Sequence, residues 1–228
     1  MTLRDALSAA AEQLAAVSPT PRLDAELLAA HALGVDRNQL LLMHLKDRVP
    51  DALRGLLERR LRHEPVAYIT GEASFWSLDL HVRPGVLIPR PDSETLIEAA
   101  IDHFQFGAPD VVLDLGTGSG ALLLAALDHW PKARGLGVDQ SETALDVAEG
   151  NAQRVGVADR VTFQLGDWGA GLEGVFDLIL CNPPYIADGY PLIRDVADYE
   201  PASARQGKSP CQKFASRSPA GSGSSPQV

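Results

Sequence analysis

The run Asn182-Pro183-Pro184-Tyr185 carries the most specific chemistry in this chain of 228 residues. An asparagine carboxamide offers both an acceptor and a donor. Two consecutive prolines fix φ and lack an N–H, so they stiffen the loop and leave its carbonyls available as acceptors. A substrate –NH2 group can donate to the Asn182 side chain and to a carbonyl of the proline run, while Tyr185 stacks on the planar π system. Such a site aims a nitrogen lone pair at an electrophilic methyl group. Positioning and carbonyl dipoles supply the catalysis, with little need for a general base. The plainer reading of the same residues is a proline turn that ends a strand.

A second motif lies upstream. Asp114-Leu115-Gly116-Thr117-Gly118-Ser119-Gly120 joins an apolar run, Val111-Val112-Leu113, to the helical pattern Ala121–His129. Glycines there let the backbone turn sharply and approach a ligand closely. Gly116, Gly118 and Ala121 also fit the dinucleotide pattern, with Asp139 where a ribose-binding acid would stand. Two details favour S-adenosyl-L-methionine instead. Asp114 closes the strand with a carboxylate, which suits an ammonium group and does nothing for a pyrophosphate. Asp167-Trp168 follows a later strand, where an acid and a ring could frame an adenine. Asp139 would accept the ribose hydroxyls.

These motifs need elements to hold them. Val111–Asp114, Gly135–Asp139, Val161–Leu165 and Phe176–Cys181 read as strands, with helices at 121–129 and from Ser141 to Ala152 between them. That alternation predicts a doubly wound parallel sheet whose ligands sit at the carboxyl ends of the strands. Residues 2–63 read as short helices. Leu3, Leu7, Ala10, Leu14 and Val17 share one face, Thr20-Pro21 opens a second helix that Gly34 ends, Asp36 caps a third, and Pro50 opens a fourth. Residues 64–91 are punctuated by Gly71, Gly85 and four prolines, and predict a hairpin-bearing connector. Ser93 is expected to cap the next helix.

Bulk properties exclude other classes. No apolar stretch reaches the roughly eighteen residues that span a bilayer. Residues 1–17 lack the basic start and cleavage site of a signal peptide. Cys181 and Cys211 form no ligand pair, and the six histidines show no metal-ligand spacing, so no metal is expected and a reducing cytoplasm is the simplest location. All 30 acids lie within residues 1–200 of a chain with net charge −10, which counts against direct nucleic-acid binding.

Taken together, the Asp-x-Gly-x-Gly-x-Gly loop, the acid at 139 and Asn-Pro-Pro-Tyr resemble the class I amino-methyltransferases. Within them the chain resembles the release factor glutamine methyltransferases (the HemK/PrmC family), through Glu64-Pro65-Val66-Ala67-Tyr68-Ile69-Thr70-Gly71, Phe75-Trp76 and Ile88-Pro89-Arg90-Pro91-Asp92-Ser93-Glu94. The resemblance implies cofactor contacts at Gly116, Thr117, Gly118, Ser119, Gly120, Asp139, Trp168 and Asn182. It implies glutamine binding by Asn182, Pro183, Pro184 and Tyr185, with Asn182, Pro183 and Tyr185 catalytic. The implied substrate is the Gly-Gly-Gln glutamine of a class I peptide-chain release factor, methylated at N5 by a monomeric enzyme. The domains expected are a helical docking domain at 1–70, the connector at 71–91, an S-adenosylmethionine-dependent methyltransferase domain at 92–204 and a disordered tail at 205–228. A nucleic-acid amino-methyltransferase and a non-catalytic cofactor-binding module are the rival readings. After Glu200-Pro201 the chain departs from the family pattern, so the C-terminal strands of the sheet are expected to be missing and strand 176–181 to become an apolar edge.

Overall fold

The computed structural model describes residues 2–184 and 191–202. Tyr185, Cys211 and the segment 205–228 lie outside them.

The amino-terminal part is helical. Thr2 and Asp5 form a reciprocal capping box that opens α1, Leu3–Leu14, whose residues Leu3, Leu7, Ala10 and Leu14 are buried. Pro21 occupies the first turn of α2, Pro21–Leu33, and Gly34 ends it in the left-handed conformation. Asp36 caps α3, Arg37–Gln39, which runs on as a π-turn, Leu40–His44, leaving Leu42 and Met43 exposed. The fourth helix, α4 at Leu53–Leu61, completes a core built on Leu3, Leu7, Leu14, Leu28, Leu40 and Leu53.

The connector contains a short helix that its sequence did not announce, α5 at Val66–Thr70, and then the expected antiparallel hairpin of β1, Glu72–Phe75, and β2, Leu78–His81. A five-residue helix is too short to show periodicity. Val86-Leu87-Ile88, apolar enough for a strand, forms none. Pro91–Ser93 is a 3-10 turn that leads into α6, Glu94–His103. Ser93 does not cap that helix: its backbone is already right-handed helical and its side chain bonds elsewhere.

Beyond α6 the chain alternates as expected through β3 Val111–Leu115, α7 Ala121–His129, β4 Arg134–Asp139, α8 Glu142–Val155, β5 Val161–Leu165 and β6 Leu178–Cys181. The four strands are parallel in the order β5-β4-β3-β6. A last helix, α9, covers Arg194–Tyr199. One face of the sheet shares a core with α6, α7 and α8, including Val112, Ile97, Leu123 and Leu180. The other face presents Leu113, Leu115 and Val138 to Trp168, Leu172 and Phe176 of the segment after β5. Among the described residues β6 is an edge strand, and its Ile179 is 53% exposed.

Two devices tie these parts together. Asn151 of α8, fully buried, accepts from the His81 amide at 2.7 Å and donates to the carbonyls of His81 and Ser119, stapling the hairpin to the glycine loop. Glu94 accepts from the Trp76 amide at 2.8 Å, which holds the hairpin turn against α6.

Candidate active site

The glycine loop leaves the carboxyl end of β3 and folds back on β4. The amides of Gly116 and Thr117 both donate to the Val138 carbonyl, at 2.8 and 3.0 Å. Gly116 has φ +74, a left-handed conformation that requires glycine, and it lies under the Trp168 ring, which a Cβ there would touch at 3.4 Å. Trp168 itself adopts φ +55, a costly conformation for a bulky residue that holds its ring over the loop.

Asp139, at the carboxyl end of β4, is locked by the loop it faces. Its Oδ2 accepts from the Gly118 amide at 2.9 Å and its Oδ1 from the Ser141 amide at 3.0 Å. Each carboxylate oxygen keeps a second lone pair, so the group is oriented and still able to accept from a ligand hydroxyl.

A cavity with about 710 Å3 of empty space, partly open to solvent, runs between these groups. Gly116, Gly118, Asp139, Trp168, Asn182 and Pro184 line it, with Leu87 of the connector, Ser141 and Gly166 around them. A smaller neighbouring cavity of about 420 Å3 is lined by Arg90, Ser93, Asp114, Thr117, Ser119 and again Asn182. Asn182 therefore lines both.

The residues named from sequence divide accordingly. Gly116, Gly118, Asp139, Trp168, Asn182 and Pro184 meet around the first cavity; Thr117 and Ser119 line only the second. Pro183 is half-buried between two lining residues and lines neither. Gly120 lines neither cavity either. A Cβ there would press within 3.0 Å of Leu124 and 3.3 Å of Ala148, so this glycine serves the close packing of α7 on α8. Tyr185 lies outside the described residues. Sequence reading missed Ser93, Arg90 and Leu87 as lining residues; Leu87 had an apolar signal but no signal of place.

Asp114 is the electrostatic anomaly. It is 1% exposed; Thr117 donates to its Oδ2 at 2.8 Å, and its Oδ1 has no hydrogen-bond partner. Burial pushes its carboxyl up to about 7, against the pull of the Thr117 hydroxyl and with some help from Asp139. A buried carboxylate with an unpartnered oxygen beside a cavity suits a cationic ligand group.

A pH dependence follows for the ligand-free protein. Between the ordinary aspartate value of 3.8 and about 7, the folded state holds a proton that the unfolded chain releases. The contribution of Asp114 to stability is full below that window and is lost as pH rises through it. Asp114→Asn is therefore expected to raise the melting temperature relative to the unsubstituted chain at pH 8 by more than it does at pH 4. Thermal unfolding at the two pH values checks this, and an equal difference at both contradicts it.

A parallel sheet with a glycine loop after its first strand, an acid after its second and Asn-Pro-Pro after its fourth defines a class I methyltransferase. Comparison agrees. Residues 5–71 match the model of the PrmC N-terminal domain, and residues 108–205 match that of a methyltransferase domain. The release factor glutamine methyltransferase of Mycolicibacterium smegmatis is 45% identical over 209 residues, covering 89% of this chain and 73% of the relative. Those of Rhodospirillum rubrum and Aliivibrio fischeri are 44% and 42% identical, each covering 82% of this chain and, respectively, 59% and 67% of the relative. This chain thus spans between 59% and 73% of the length of these three relatives. It belongs to the release factor glutamine methyltransferase family. No helix among the described residues is long and apolar enough to cross a membrane.

Proposed function

We propose that this protein methylates the side-chain nitrogen of the glutamine in the Gly-Gly-Gln motif of a class I peptide-chain release factor, with S-adenosyl-L-methionine as methyl donor. The observation that carries the reading is the position of Asn182. Asn182 lines both the cavity of the glycine loop, Asp139 and Trp168 and the second cavity that holds Asp114 and Ser93.

The residues present fit the cofactor. Asp114, with its orphaned buried oxygen, would take the ammonium of the amino-acid part. Asp139 would take ribose hydroxyls and the Trp168 ring a face of the base, with Gly116 allowing the close approach. When bound, the cofactor would supply a methyl group made electrophilic by its sulfonium, the S–CH3 bond giving way to the new N–CH3 bond and a neutral thioether remaining.

The rest falls to the chain. A glutamine amide nitrogen is a weak nucleophile because its lone pair is delocalised into the carbonyl. Asn182 Oδ1 and the Pro183 carbonyl would each accept one of its N–H groups, fixing the nitrogen with the lone pair turned towards the cofactor cavity. As the nitrogen gains a bond and positive charge, the same two oxygens stabilise it, an electrostatic contribution that is worth most in a site shielded from water. The nitrogen then sheds one proton, which passes to water because an alkylating amide nitrogen is strongly acidic. The half-buried proline run gives the acceptors a fixed position before substrate arrives. The expected partner is thus a protein, and the helical domain at 1–70 is its docking surface.

Labelled S-adenosyl-L-methionine, an unmodified class I release factor and a version carrying Ala for the Gly-Gly-Gln glutamine test this directly. Label is expected on the first protein only. Label on both proteins would refute the glutamine assignment. Label transferred instead to DNA or RNA would favour a nucleic-acid amino-methyltransferase.

A further inference from the structure

We propose that Ser93 is a positioning residue that sets the orientation of the Asn182 carboxamide, an inference resting on the reading of the site as a glutamine methyltransferase. Asn182 Nδ2 donates to Ser93 Oγ at 2.7 Å, across 89 residues of sequence. An amide group is planar, so fixing its nitrogen fixes the direction of its oxygen. With Nδ2 committed to Ser93, Oδ1 is the end left for the substrate, and an acceptor is what a glutamine –NH2 requires. The reverse orientation would set one –NH2 against another. Ser93 Oγ accepts this bond, which ties the –NH2 end of Asn182 to the turn before α6 and leaves Oδ1 for the substrate.

The local structure supports a role in the site over one in the helix. A serine just ahead of a helix ordinarily caps it, its side-chain oxygen accepting from a backbone amide of the first turn. Ser93 makes no cap bond to α6, its backbone being already helical, and it is only 9% exposed. Its hydroxyl therefore does not serve the helix it precedes; it reaches a loop of another element. The turn that carries it is braced by the bond between Glu94 and the Trp76 amide and by Arg90, which holds Glu200 at 2.6 Å. Ser93 also lines the second cavity beside Asn182.

The test is a double-mutant cycle on the full chain with a release factor as substrate. Ser93→Ala is expected to lower kcat about tenfold, the scale of one hydrogen bond, and to leave KM for the release factor and the cofactor Kd within about twofold. Ser93→Thr keeps the hydroxyl and should recover most of the rate. In an Asn182→Ala background, Ser93→Ala should cost nothing further, because the group it orients is gone. Additive losses in the cycle, or a Ser93→Ala variant with unchanged kcat beside an inactive Asn182→Ala, overturn the positioning role while the function stands. A rate loss matched by an equal loss of cofactor affinity and melting temperature also overturns it, as the mark of general structural damage. No transfer to the release factor by the unsubstituted chain sinks the parent reading, and the role of Ser93 falls with it.

Discussion

Asn182→Ala is expected to lower methyl transfer to a release factor by at least about 100-fold, the scale seen when a preorganised group facing developing charge is removed. The cofactor should still bind, because Gly116, Asp139 and Trp168 also line the cavity that Asn182 borders and remain in the variant. Most of the loss should fall on kcat. The acceptor is worth little to an uncharged amide in the ground state and much more as positive charge grows on the nitrogen. Radiolabel transfer under single-turnover conditions separates chemistry from binding, and calorimetry with the cofactor supplies the control. A fall of less than about threefold would place the nitrogen elsewhere in the cavity, because an acceptor that feels developing charge cannot be removed so cheaply. The other acceptor, a main-chain carbonyl between two prolines, survives the substitution, which is why activity is expected to be low and not nil.

What the residues announce, and what they hide, follows one division. Requirements of the backbone are visible in residue type. Gly34 ends α2 because its φ of +68 suits glycine, and the loop at 116–120 is glycine-rich because three of its residues have positive φ. Strand and helix positions from 111 to 165 are legible because short apolar runs there are bounded by acids and glycines, as Val111-Val112-Leu113 is by Asp114 and Gly116. Partnerships across the fold leave no such trace. Ser93 looks like a helix cap because its immediate neighbours are all that a local reading can use; its partner is Asn182. Asn151 reads as an ordinary polar helix residue, yet it is fully buried and joins three segments. The Asp-x-Gly-x-Gly-x-Gly pattern treats Gly120 as part of the cofactor cradle, and only the contact with Ala148 reveals a packing role. For Asp139, sequence gives the place but not the two backbone amides that already hold it.

Partnerships of the same kind tie residues 191–202 to the helical domain. Residues 191–202 return after the Asn-Pro-Pro run and dock by polar contacts. Asp195 of α9 meets Arg60 at 2.8 Å and His63 at 3.0 Å, and the Tyr199 hydroxyl donates to the Arg62 carbonyl at 3.0 Å. Glu200, 5% exposed, takes Arg90 from the connector. A contact made on the helical domain is thereby mechanically continuous with the chain that flanks the site. Continuity of contacts is a means of alignment; it does not require two states.

Arg60→Met should accordingly be the most destabilising of the substitutions considered, costing about 3–5 kcal/mol of unfolding free energy. Arg60 is 3% exposed, and its guanidinium serves Asp24 at 2.7 Å, Asp195 at 2.8 Å and the Val17 carbonyl at 3.2 Å. Burial works against its charge, but the bond to Asp24 and the nearby Asp195 outweigh that, and its pKa is held above the ordinary arginine value. Methionine keeps much of the side-chain volume and removes the charge, so the loss would measure electrostatics more than packing. Asp24, 6% exposed, would keep, among the described residues, the Thr20 hydroxyl at 3.2 Å as its side-chain hydrogen-bond partner. The penalty is that of an abandoned carboxylate, and it identifies its own control: Arg60→Met combined with Asp24→Leu should recover a substantial part of the loss, since an apolar pair can replace a buried ion pair at little cost. Urea unfolding of the three proteins decides the matter. Equal stability of the single and double variants would mean that the carboxylate finds water once Arg60 is gone, and that the contact between α2, α4 and α9 owes its strength to packing.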